Sequence, residues 1–68
     1  MKYVVGRTYK ALLGDGKIHA FKVVEIDEDE LIWAKWDDEP DREEWFYPEE
    51  LDRLVQAAMD KEEVERYL

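Results

Sequence analysis

The sequence predicts a mainly β fold: a small barrel of four to five antiparallel strands with a C-terminal helical extension. Short runs rich in β-branched and aromatic residues, separated by glycine-rich or acidic turn signals, fill residues 1–47. At Pro48 the hydrophobic period changes to that of a helix, giving a helical extension over 48–68. With 68 residues, the chain reads as one domain with a small core and no room for a deep substrate cavity.

Residues 2–13 form the first expected strand, with Gly6 at a kink or bulge, and Asp15-Gly16 supply the φ > 0 residues of a hairpin turn. The second strand, 17–26, carries Ile18, Ala20, Phe21, Val23, Val24 and Ile26 and ends at the acidic turn DEDE, 27–30. In the third, 31–36, alternation places Ile32, Ala34 and Trp36 on one face and Leu31, Trp33 and Lys35 on the other. DDEPDR, 37–42, reads as a polar loop, and 44–47 as a short fourth strand stopped by Pro48. Leu51, Leu54, Val55 and Ala58 make an amphipathic stripe, with Glu49, Glu50 and Asp52 in the first turn. The stripe breaks at Asp60, which with Glu63 has the spacing of a capped helix start. The reading is a second short helix, or else one continuous helix with a rotated face.

Composition narrows the function classes. The 46% apolar residues and nine aromatics argue for a packed core, while 43% charged residues leave a densely ionised surface. Residues 1–22 hold five basic groups against Asp15 alone, or +4; the remainder holds five against eighteen acidic groups, or -13, which together give the net -9. A field of this sign repels phosphate backbones and favours a basic partner. There is no cysteine, which fits a reducing compartment. No apolar run approaches the roughly 18 residues of a membrane span, so a soluble, cytoplasmic protein is expected.

Several chemistries are disfavoured. Asp27 and Asp29 have calcium-loop spacing, but Leu31 and Ile32 stand where an oxygen ligand and a glycine belong, and a loop begun at Asp37 fails at Arg42 and Pro48. No metal or other cofactor is expected. The chain has one histidine, His19, one threonine, Thr8, and no serine, so the common nucleophile-and-base pairings cannot be built and no enzyme is expected. His19 reads as a strand residue at a barrel rim.

Gly6, Ala11, Asp15-Gly16, His19, Phe21, Val23 and Ile26, then AKWDD at 34–38 and EEWFYPEEL at 43–51, fall on a familiar spacing. Over residues 5 to about 54 the chain resembles the Tudor and chromo-barrel members of the SH3-like barrels. The resemblance implies an aromatic cage for a methylated lysine or arginine, held by cation–π attraction. The family draws partly on aromatics just after the first turn, where this chain has Ile18 and His19. The remaining cage candidates are Tyr9, Trp33, Trp36 and Trp45; Trp36 and Trp45 are expected in the core, leaving Trp33 as the exposed aromatic.

The expected function is a non-enzymatic interaction module for a basic protein surface or peptide. Trp33 and Tyr9 would anchor it apolarly, and Asp37, Asp38, Glu39, Asp41, Glu43 and Glu44 would steer it. The alternative, from size and charge alone, is an acidic DNA mimic, like phage-encoded inhibitors of restriction or CRISPR nucleases, whose carboxylates at 25–30, 37–44 and 49–52 imitate phosphates. Direct nucleic-acid binding through the basic first hairpin ranks third. The terminal stripe Val64, Tyr67 and Leu68 is expected to pack on the barrel or to form a homodimer contact.

Overall fold

The computed structural model describes residues 2–68. Its elements are β1 (Thr8–Leu12), β2 (Ile18–Ile26), β3 (Ile32–Trp36), β4 (Glu39–Phe46) and α1 (Pro48–Arg66). The strands form one antiparallel meander in the order β1-β2-β3-β4, so the mainly β expectation holds. β1 and β4 do not pair with each other, so hydrogen bonds do not close the sheet into a barrel; α1 instead packs beside β1.

One face of the sheet is dry. Ala11, Phe21, Val23, Ile32, Ala34, Trp36 and Phe46 converge there with Tyr3 and with Leu51 and Val55 of α1. Phe21 meets Trp36 edge-on at 5.5 Å, and Trp36 meets Phe46 at 6.0 Å, the T-shaped geometry that aromatic quadrupoles favour. Tyr3 seals the border, donating from its hydroxyl to Asp52 Oδ1 at 2.7 Å. Burial, followed by that carboxylate, pushes the Tyr3 phenol above its ordinary value, and the same bond holds Asp52 below its own.

Irregularities in the ladder set the shape. Gly6, at φ +92, lies in the turn closed by Arg7 N–H to Val4 O at 3.1 Å, and both Gly6 and Arg7 then face Val23. Regular pairing therefore starts at Thr8, later than the sequence suggested, because residues 2–5 lie before this bulge. A second bulge leaves Val24 without a partner between the Val23↔Ala34 and Glu25↔Trp33 pairs.

The third is larger. Lys35 pairs with Glu43, yet Trp36 pairs with Glu39, so Pro40, Asp41 and Arg42 have no opposite residue in β3. The expected loop at 37–42 is thus a tight turn at Asp37 and Asp38 followed by three bulged residues within β4. Pro40 lacks the N–H a ladder requires, and β4 is an edge strand, where proline is tolerated.

Two further expectations are corrected. Trp45 is 46% exposed and outside the core, because the β4 register buries its neighbour Phe46 instead. The helix does not stop at Asp60: α1 runs unbroken to Arg66, with Lys61–Glu65 and Gln56–Asp60 contacts bridging successive turns. Val64, Tyr67 and Leu68 are exposed at 60%, 80% and 97%, so this stripe does not pack back on the sheet.

Candidate functional site

An open groove of about 410 Å³ lies at one end of the dry face, between the β1–β2 loop and the β3–β4 turn. Leu13, Trp36 and Phe46 form its apolar floor, and Asp15, Asp38, Glu39 and Glu44 its acidic rim, with His19 and Arg42 as the only cations lining it. The local sequence explains each wall. Leu13 N–H to Lys17 O at 3.1 Å closes a three-residue loop, and Gly16 takes the left-handed position at φ +77. Asp15 does not share that conformation, although the sequence suggested both residues would. It instead accepts the Lys17 N–H at 2.9 Å, which turns its carboxylate toward His19.

His19 is held at both ring nitrogens. Nε2 lies 2.8 Å from Asp15 Oδ2 and Nδ1 2.8 Å from Asp38 Oδ2, while the ring sits edge-on to Trp36 at 6.1 Å. The Asp15 carboxylate, and then Asp38, hold His19 above its ordinary 6.5. Asp15 is held below its ordinary 3.8 by the Lys17 amide and then by His19.

The opposite wall belongs to the bulge. Arg42 bridges Glu39 Oε2 at 3.1 Å and Glu44 Oε1 at 2.8 Å, and Glu44 Oε1 also accepts the Trp36 indole N–H at 3.0 Å. The fork of one guanidinium thus orients two carboxylates, and the indole is fixed by the second. Both cations are already engaged by rim carboxylates, so an acidic ligand would have to displace those partners.

The expected site residues are dispersed. Asp38, Glu39 and Glu44 line the groove, whereas Asp37, Asp41 and Glu43 do not. Tyr9 pairs with Phe21 and stacks on it at 5.7 Å on the dry face. Trp33 lies on the opposite face, half-buried, paired with Trp45 and donating its indole N–H to Asp27 Oδ2 at 2.9 Å. The four aromatics named as cage candidates therefore do not meet at one place. His19, Asp15, Arg42, Leu13 and Phe46 were not among the expected site residues; the legible signal was Asp15 and His19 flanking a glycine-rich loop. Among the described residues no cluster of three or more His, Cys, Asp or Glu could hold a metal ion, and no helix is long and apolar enough to cross a membrane. No protein-family model, curated protein or solved structure matches the chain.

Proposed function

We propose that the protein is a non-enzymatic interaction module whose groove receives a basic side chain from a partner protein or peptide. The observation that carries this reading is the pairing of an aromatic floor, Trp36 and Phe46, with four rim carboxylates facing only two cations. A lysine or arginine entering there meets carboxylates at its head and apolar surface along its stem, which suits a side chain with a polar tip and an aliphatic body. The net charge of -9 adds long-range attraction, which speeds encounter and makes it salt-sensitive.

Hexa-arginine peptide is the direct probe, with affinity read by calorimetry at low and high salt. Binding is expected to weaken steeply with salt, and the triple change D38N/E39Q/E44Q is expected to weaken it by about tenfold or more, whereas D37N/D41N/E43Q has a smaller effect. Equal losses from the two triples would mean that diffuse charge, not the groove, does the binding. No binding, together with competition against duplex DNA for a DNA-binding protein, would favour the DNA-mimic reading instead.

A further inference from the structure

His19 is the groove residue that both hairpin loops hold at once, through Asp15 of the β1–β2 loop and Asp38 of the β3–β4 turn. A neutral imidazole carries one N–H and donates to only one carboxylate; the imidazolium carries two and satisfies both. No other side-chain hydrogen bond or ion pair joins these two loops among the described residues. The tie therefore exists in full only when His19 is charged.

We propose that His19 is a proton-controlled latch on the groove: as imidazolium it ties the two loops together and withholds Asp15 and Asp38 from a cationic partner, and on deprotonation it frees one of them. This rests on the groove being the site of a basic partner, as proposed above. The groups facing His19 are Asp15 and Asp38 from the loops, uncharged Trp36 from β3, and Glu39, Arg42 and Glu44 from β4; α1 contributes none. With His19 charged, four carboxylates face two cations; with it neutral, they face Arg42 alone.

The sign follows. Proton and partner compete for the same carboxylates, so partner affinity rises as pH rises through the His19 transition. That transition lies above 6.5 because the two carboxylates favour the charged ring. A unit charge about 4 Å away in largely aqueous surroundings changes affinity about fivefold. By reciprocity, the bound partner lowers the proton affinity of His19 by the same factor.

Long-range proton–nitrogen NMR of the His19 ring in the free protein reads the latch without any partner. Both nitrogens are expected to stay protonated through pH 6.5, with a midpoint that drops in D38N while the fold persists. A midpoint at or below 6.5, with a neutral tautomer already dominant there, overturns the latch. In the second arm, hexa-arginine affinity is expected to rise about fivefold between about pH 5.5 and about pH 8.5 and to stay flat in H19Q. A flat profile in the unaltered protein, or a rise that survives in H19Q, overturns the coupling. If hexa-arginine binds at no pH, the proposal falls with the groove, and an intact raised midpoint in the free protein identifies the binding reading as the part that failed.

Discussion

The two acidic runs that follow β2 and β3, 27–30 and 37–42, use their carboxylates in opposite ways. In the first, Asp27 turns inward on its own segment, accepting the N–H groups of Asp29 and Leu31 at 3.0 Å each and the Trp33 indole at 2.9 Å. In the second, Asp38 reaches His19 on another hairpin, and Glu39 and Glu44 share Arg42 along a groove. A tryptophan indole accompanies each run, Trp33 donating to Asp27 within the first and Trp36 donating to Glu44 of β4 just beyond the second. The difference teaches that an acidic run can reach other elements only where backbone amides do not consume its carboxylates. Pro40, in the second run, offers no N–H at all.

The two tryptophans give the largest test of this comparison. Trp36 is 4% exposed and touches Phe21, Phe46 and His19 in the core wall, so Trp36→Ala should cost about 3–5 kcal/mol in chemical denaturation. Trp33 is half-buried on the opposite face, and Trp33→Ala should cost about 0.8–1.5 kcal/mol, half the transfer value of a full aromatic burial. The first loss is large against the stability of so small a domain, and W36A is expected to be partly unfolded at room temperature. Equal costs at the two sites would break the distinction between a core-forming and a self-contained loop.

The two loops should also separate by pH. His19 is raised above 6.5 by Asp15 and then Asp38, so its stabilisation is complete below 6.5 and is lost as pH rises through the raised value. Asp27 is held below 3.8, foremost by the Trp33 indole, so its stabilisation is present above 3.8 and lost as pH falls through the lowered value. Melting temperature against pH should therefore decline on the alkaline side through the groove and on the acid side partly through the β2–β3 loop. H19Q should flatten the first limb and D27N should reduce the second. An alkaline decline unchanged in H19Q would sever the groove from pH-dependent stability.

Much of this was legible, and the exceptions have specific causes. The second and third strands and the Pro48 helix start were readable to within a residue or so, because long alternating runs and a helix-entry proline are local signals. The face of β4 was not. Trp45, Phe46 and Tyr47 are three consecutive aromatics, and a register slip of one residue moves each to the other side of the sheet, so the sequence alone placed Trp45 in the core. The groove escaped for a related reason: it is assembled from two loops far apart in the chain, and its central contact, His19 to Asp38, spans nineteen positions. The apparent helix break at Asp60 came from treating every apolar residue as core-facing, whereas the terminal stripe is exposed.

A smaller effect sharpens the structural side of the comparison. Both the β1–β2 and β2–β3 connections place a residue in the left-handed region, Gly16 at φ +77 and Glu30 at φ 65. Glycine adopts this without strain, whereas an L side chain suffers a steric cost that outweighs the extra entropy glycine loses on folding. Glu30→Gly should therefore raise stability by about 0.5–1 kcal/mol, seen as a later denaturation midpoint at unchanged slope. No effect on hexa-arginine affinity is expected, since Glu30 lies away from the groove. A weakened affinity would mean that the β2–β3 carboxylates do take part in binding.

The finest test is Pro40. Its ring removes an N–H from the edge strand where regular pairing with Lys35 would otherwise begin, since the turn closed by Trp36↔Glu39 points that register back along β3. Pro40→Ala loosens the unfolded chain and should cost about 0.4–1 kcal/mol on that account alone. Arg42 remains tied to Glu39 and Glu44, so the bulge should persist, with cross-strand contacts still joining Lys35 to Glu43 in proton NMR. If those contacts move to residue 40, the bulge depends on proline and not on the Arg42 bridge. The register of β4 beyond the turn would then slide by three residues and carry Arg42 and Glu44 out of the groove. The side chains that shape the rim would in that case be placed by a missing hydrogen-bond donor, and the acidic run at 37–42 would revert to the self-contained kind seen at 27–30.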